Sequence, residues 1–214
     1  TTPATPIINP VTTPTNITSQ AVTGTKDAMT GIWIDGAQVA ALGPATTWSI
    51  HMALTEGDNT FGITAKDAAG NVSSSSVIVI ILDTTGPVAP IANVPAGNYN
   101  GAISIVLTLA PDANRTFFVV NDGEPTTTST EYIACTIGIN GANGETKTRK
   151  AVSFDALGNR GDTMSIDYTF DTSAPTVTLN GSSTVSIEQG RTYSDEGATA
   201  IDTYTRRPSL PIAR

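Results

Sequence analysis

The chain is poor in the residues that most chemistry uses. One histidine, His51, and one cysteine, Cys135, occur in 214 residues. A single cysteine closes no disulfide within the chain and builds no thiolate metal cluster. In "YIACTIG" it reads as a small apolar side chain buried on a strand. His51 lies in the alternating run "TWSIHMAL", with no nucleophile in its sequence context, so a triad is not indicated. Several His or Cys ligands, which metal hydrolysis draws on, are missing too. Paired carboxylates for glycoside hydrolysis need a cleft, and most acids here sit in turns. The sequence therefore reads as a non-enzyme.

Charge is scarce as well. Only 14% of residues are charged, against roughly 25% in ordinary domains. The 11 basic and 19 acidic residues leave a net charge of −8 and a pI near 4.4, which argues against nucleic-acid binding. The longest apolar run, Val77 to Leu82, is strand-length and far short of the roughly 20 residues of a helical membrane span. No signal peptide appears and the first residue is Thr1, so the sequence reads as an internal piece of a longer protein. No stretch keeps a helical apolar period for three turns.

What fills the gap is Thr, Ser, Gly, Ala and Val, a mixture that favours strands and turns. The reading is all-β. One pattern occurs twice: "KDAAGNVSSSSVIVIILDTTGP" from Lys66 and "FDALGNRGDTMSIDYTFDTSAP" from Phe154. Each holds an Asp-x-x-Gly-Asn turn, a strand-like run and then Asp-Thr-x-x-Pro. Asp67 recurs as Asp155, 88 residues on (155 − 67), an interval that suits one small β-sandwich. In the turn, Asp67 or Asp155 accepts backbone N–H bonds and Gly70 or Gly158 supplies positive φ. Pro87 then stops the last strand at a short, semi-rigid linker.

The organisation that follows is tandem. Residues 1–85 hold a Pro/Thr-rich lead-in (1–18) and a sandwich with strands "SQAVTGT", "GIWIDGAQVAA", "TTWSIHMAL", "NTFGITAK" and "SSVIVIIL", where Asp35-Gly36 signals a two-residue hairpin. Residues 86–173 hold a second sandwich, with strands in "AISIVLTLA", "RTFFVVNDG", "TEYIACTIGI", "ETKTRKAVSFD" and "DTMSIDYTF". Residues 174–214 have room for three or four strands, too few to close two sheets. "TVTLNG" and "STVSIEQG" are expected at best partly paired. The tail "RRPSLPIAR" departs from the pattern, and poor order is expected from about residue 203.

The first sandwich, with "TSQAVTGTKDAMTGIWIDGAQV" and "LTEGDNTFGITAKDAAGNVS", resembles the immunoglobulin-like repeats of bacterial surface and adhesin proteins. The second, with "AGNYNGAISIVLTL", "FFVVNDGEPTTTSTEY" and "AVSFDALGNRG", looks like the C-terminal domain of chitobiases and β-hexosaminidases. The third piece is similar to the opening half of another bacterial Ig-like repeat. The resemblance implies tandem Ig-like antiparallel β-sandwiches, the last incomplete, in an extracellular or cell-surface bacterial protein. Its partners would be neighbouring Ig-like modules, surface polysaccharide or a host protein. The role implied is a spacer or adhesion stalk. The alternative is an accessory module of a secreted glycoside hydrolase.

Two sets of residues are site candidates. Trp33, Trp48, Tyr99 and Tyr132 offer flat rings to a sugar, although a sandwich core also uses aromatics. Asp67, Asp83, Asp155 and Asp171 lie in turns and linkers where related repeats sometimes hold calcium, a cation that wants several oxygen ligands. Turn capping explains all four without a metal. Arg160-Gly161-Asp162 spells an integrin-recognition tripeptide, and Gly and Asp are also good turn formers. Asn16, Asn71, Asn114 and Asn180 begin Asn-x-Ser/Thr sequons.

Overall fold

The computed structural model describes residues 1–120 and 123–202. Among them every regular element is a β-strand. The chain divides into two compact units: Thr1–Pro87 with Phe154–Gly161, and Val88–Ser153 with the chain from Asp162 onward.

The first unit has seven strands: β1 (Ile7–Ile8), β2 (Ser19–Thr25), β3 (Thr30–Ile34), β4 (Ala37–Gly43), β5 (Thr47–Ala53), β6 (Gly57–Asp67) and β7 (Ser76–Leu82). They form a three-stranded sheet, β1-β2-β5, and a four-stranded sheet, β4-β3-β6-β7. All of these pairings are antiparallel. Sending β2 and β5 to one sheet and β3 and β6 to the other is the Greek-key plan of an Ig-like sandwich. Period-2 alternation explains the layers. In β5, Trp48 and Met52 are buried, Ile50 is half-buried, and Ser49 and His51 face outward. In β7, Ile80 and Leu82 are buried while Val77, Val79 and Ile81 are exposed. Val22, Ile32, Ile63 and Ile80, from both sheets, are fully buried, each worth about 1.5–3 kcal/mol of transfer from water.

The Asp35-Gly36 hairpin forms as its sequence demands. Both residues have positive φ, 47° and 87°, the backbone of a type I′ turn. The Pro/Thr-rich segment is more than a lead-in. Pro6 is fully buried, Ile7–Ile8 pairs with β2, and Thr15 bridges Leu82 in parallel. The segment thus joins one sheet at its start and the other at its end. Proline suits such an edge, where one N–H has no ladder partner.

The second unit is built from shorter pieces. Its strands are β8 (Ile91–Ala92), β9 (Gly97–Tyr99), β10 (Ile103–Ile105), β11 (Leu107–Thr108), β12 (Arg115–Val119), β13 (Thr130–Glu131), β14 (Ile137–Ile139), β15 (Thr146–Phe154) and β16 (Arg160–Phe170), of which Phe154 and Arg160–Gly161 count with the first unit. A five-stranded sheet runs β13-β12-β15-β16-β9, and β8 pairs with β11 and β10 with β14. The core between them holds Ile105, Leu107, Ile137, Ile139, Tyr168 and Phe170. Asn93 breaks the run "ISIVLT" in two: Val106 N–H donates to Asn93 Oδ1 (2.7 Å) and Asn93 N–H to Val106 O (3.0 Å).

Cys135 departs from its expected burial. It is exposed in a loop after Tyr132, beside Ile133, which is 78% exposed, and Ala134, whose φ is +43°. The positive φ turns the chain out of strand geometry, so alternation there stops predicting which side chains face inward.

In the third piece, β17 (Thr176–Leu179) pairs antiparallel with β18 (Ala198–Ile201) over four residues. "TVTLNG" is therefore paired, but with the strand of "GATAID", and "STVSIEQG" forms no strand. Every residue from 172 to 201 is exposed. Two strands bring no second layer to cover them. The tail from residue 203 lies outside the described residues.

Candidate functional site

The two Asp-x-x-Gly-Asn turns are near copies in atomic detail. In the first, Gly70 N–H donates to Asp67 O (3.1 Å) and Asp67 N–H to Asn71 O (3.1 Å). Asn71 then gives its backbone N–H to Asp67 Oδ1 and its side-chain amide to Oδ2, both at 2.9 Å. In the second, Asp155 Oδ1 accepts the N–H groups of Leu157 (2.9 Å) and Asn159 (2.8 Å), and Oδ2 accepts the Asn159 amide (2.8 Å). Gly70 and Gly158 sit at φ +87° and +86°, where a Cβ would be strained. Each Asp therefore closes a turn with both carboxylate oxygens. Hydrogen bonds from Asn71 hold the Asp67 carboxyl below its ordinary value.

The linker acids are used in the same way. Asp83 Oδ1 accepts Thr85 N–H (3.1 Å), and Asp171 Oδ1 accepts Ser173 N–H (3.2 Å) and its hydroxyl (2.7 Å). Glu56, which the sequence did not single out, adds to the first linker. Its carboxylate accepts the N–H and hydroxyl of Thr84 and the hydroxyl of Thr85. These bonds, that of the Thr84 hydroxyl foremost, keep Glu56 below its ordinary value.

Within the first unit, Asn159 joins Asp155 to Asp83. Its amide donates to Asp155 Oδ2 and to the main-chain oxygen of Asp83, each at 2.8 Å. Asn16 donates to Leu157 O (3.0 Å) and Asn159 Oδ1 (3.2 Å). Gly86 passes so close to Arg160 that an added Cβ would stand 2.2 Å from its carbonyl. Asp83 contributes a carbonyl to this network, not its carboxylate. Among the described residues no group of three or more His, Cys, Asp or Glu side chains converges as a metal site.

The aromatic candidates separate. Trp48 is buried under β2, with Nε1 donating to Thr25 O (3.4 Å) and its ring against Gly24. Tyr132 is buried, and its hydroxyl accepts Leu107 N–H (3.0 Å). Neither presents a ring face to a sugar, because each fills core volume. Tyr99 is half-buried, with its hydroxyl on Pro95 O (2.7 Å) and its ring tilted against Tyr168. Trp33 is half-buried on the outer side of β3, over Gly31, with Lys66 Nζ 5.5 Å from the ring centroid.

The remaining motifs are structural in their surroundings. Arg160-Gly161-Asp162 opens β16, and Gly161 is buried. The amides of Asn16 and Asn71 are already hydrogen-bonded. His51 is exposed on β5, opposite Ala21.

No family model matches the chain, and no curated protein matches it. Solved structures do. The fibronectin(III)-like modules of Clostridium thermocellum CbhA align at 14% identity and a TM-score of 0.37, covering 78% of this chain and 94% of that one. The Ig1–Ig3 ectodomain of mouse nectin-like molecule 4 aligns at 10% identity and 0.38, covering 80% of this chain and 66% of that one. The FN1–FN3 domains of chicken CNTN1 align at 14% identity and 0.30, covering 83% and 72%. Likenesses of this strength bear no functional argument. The strand orders above make the chain a run of Ig-like β-sandwich modules on their own.

Proposed function

We propose that these are non-catalytic modules of a bacterial cell-surface or secreted protein, serving as a spacer or presenting stalk. One observation supports this above the others: the same boundary chemistry frames each sandwich. Pro3-x-x-Pro6-Ile7 leads into the first and Pro87-x-x-Pro90-Ile91 into the second, and Asp-Thr-x-x-Pro follows the last strand of each. Polar side chains at these boundaries are spent on holding backbone. A spacer needs units that fold and resist force separately. Pulling single molecules by their ends should give two unfolding steps, each releasing roughly 250–300 Å of chain at about 3.3–3.6 Å per residue. One merged step would defeat the proposal.

The rival reading, an accessory module of a glycoside hydrolase, rests on Trp33, which alone of the two tryptophans reaches the surface. It calls for retention on chitin or another insoluble polysaccharide, lost in Trp33→Ala. We expect no retention, because Gly31 takes one face of the ring and Lys66 sits over it.

A further inference from the structure

Lys26 is unlike the other three lysines of the chain. Lys147 pairs with Glu145, Lys150 with Glu124, and Lys66 lies over Trp33. Lys26 follows β2, is only 8% exposed, and points its ammonium at main-chain carbonyls alone. Nζ donates to Ala45 O at 2.6 Å and Thr30 O at 2.7 Å, with Asp27 O at 3.4 Å and Gly43 O at 3.5 Å. A buried charge costs heavily unless it is well hydrogen-bonded. Three ammonium protons among four carbonyl dipoles meet that demand without a carboxylate.

The cage has work to do. Its carbonyls come from two stretches, the β2–β3 turn with the first residue of β3 and the end of β4 with the loop after it. The β2–β3 turn is strained: Met29 has φ +59° and is 63% exposed. Such a conformation persists in a non-glycine residue only where its surroundings over-determine it. Met29 N–H is tied to Gly43 O (2.7 Å) and the Thr30 hydroxyl to Asp27 O (2.7 Å). The ammonium then draws together the carbonyls on both sides of Met29 and those of the facing loop.

We propose that this is a monovalent-cation site built into the first sandwich and filled by the chain's own Lys26. A ring of neutral carbonyls suits a large univalent ion of potassium type, in the way carbonyl oxygens replace its hydration shell in selective channels. Ammonium has nearly the same radius. Divalent calcium wants anionic oxygens, which the ring lacks. With its cation covalently supplied, this end of the module keeps its loops closed whatever the ionic composition outside.

The test empties the cage. Lys26→Ala in the full chain should unfold at a lower temperature than the natural chain. Potassium chloride at 200 mM should raise its midpoint by about 3 °C or more over the same concentration of tetramethylammonium chloride. The natural chain should show no such preference. Equal midpoints in the two salts overturn the proposal. Should Lys26→Ala not fold, amine acetylation of the native natural chain decides by itself. Lys26 should react at least about tenfold more slowly than Lys66, Lys147 and Lys150, and at their rate once denatured. Equal native rates show that the ammonium is not caged.

Discussion

The two sandwiches solve one problem with different material. The first uses long alternating strands. β6 runs 11 residues, β2, β5 and β7 seven each, and the β2–β5 pair keeps full register from Ser19↔Ala53 to Thr25↔Thr47. Among the described residues the second has six strands of two or three residues out of nine. It ties the gaps with polar groups: Asn93 at Val106, and a buried Thr116–Ser153 hydroxyl pair at 2.8 Å. Arg149, 6% exposed, donates to Val120 O at 2.8 Å. Apolar alternation alone specifies a strand that is long and half-buried. Where it fails, specific hydrogen bonds must hold the chain, and each becomes a point of failure.

The largest expected effect tests whether these are separate folding units. Both tryptophans, Trp33 and Trp48, lie in the first sandwich, so their fluorescence follows it alone. Phe117→Ala, on β12 of the second unit at 2% exposure, should cost about 3–5 kcal/mol. It should shift the far-UV transition of the second sandwich and leave the tryptophan midpoint in place. Ile63→Ala, fully buried in the first core, should do the reverse at about 2–5 kcal/mol. A tryptophan midpoint that moves with Phe117→Ala would join the two units into one cooperative block.

Next in size are the turns. Asp155→Ala leaves the N–H groups of Leu157 and Asn159 and the Asn159 amide without their acceptor. Asp155 is only 8% exposed, so about 1–3 kcal/mol should be lost. Asp67 is half-buried, and water replaces its bonds more readily. Asp67→Ala should therefore cost visibly less by urea unfolding. Equal costs would mean that the second turn gains nothing from its extra donors.

Much of this was legible from sequence, for a physical reason. Strands β2, β5 and β7 matched because alternation, Gly and Pro mark their limits, and both Asp-x-x-Gly-Asn turns are local chemistry that five residues encode. What escaped depends on distance in the chain. Glu56 meets Thr84 across 28 residues and Asn159 meets Asp83 across 76, and no local pattern records such pairs. The Lys26 cage was equally silent, since its ligands are carbonyls that any residue supplies. The aromatic candidates divided because ring type does not tell which face of a strand a ring leaves from. The Pro-x-x-Pro-Ile spacing, by contrast, was available in the sequence and marks where each sandwich begins.

Acid should separate the units again, more weakly. Glu56 and Asp67 in the first unit, and Glu131 and Glu145 in the second, all titrate below their ordinary values of 4.5 for Glu and 3.8 for Asp. A lowered folded-state pKa stabilises above the unfolded value and loses that stability as pH falls through the folded one. Both midpoints should hold from neutrality to about pH 5 and fall below the ordinary carboxyl range. The causes differ. Glu131 and Glu145 are held chiefly by Arg115 and Lys147, whereas Glu56 and Asp67 accept bonds mainly from Thr84 and Asn71. Salt screens the first kind of interaction and hardly touches the second. Adding salt should shrink the acid limb of the second unit and leave that of the first.

The smallest expected effect is that of calcium, and we predict none. A Ca²⁺ site of useful affinity gathers six to eight oxygens. In both turns the carboxylate of Asp67 or Asp155 is already turned onto the amides of its own loop. Binding an ion would strip those amides of their acceptor, and the gain in coordination would be set against the loss of the turn. Asp83 and Asp171 each hold the amide two residues on. Mass action makes the test sensitive, because an ion at a hundredfold its dissociation constant adds about 2.7 kcal/mol to the folded state. Tryptophan fluorescence and far-UV melting in millimolar Ca²⁺ and in chelator should therefore superimpose for both sandwiches. A midpoint that rises with Ca²⁺, and loses part of that rise in Asp83→Ala, would show that the linker acids leave their amides for a metal.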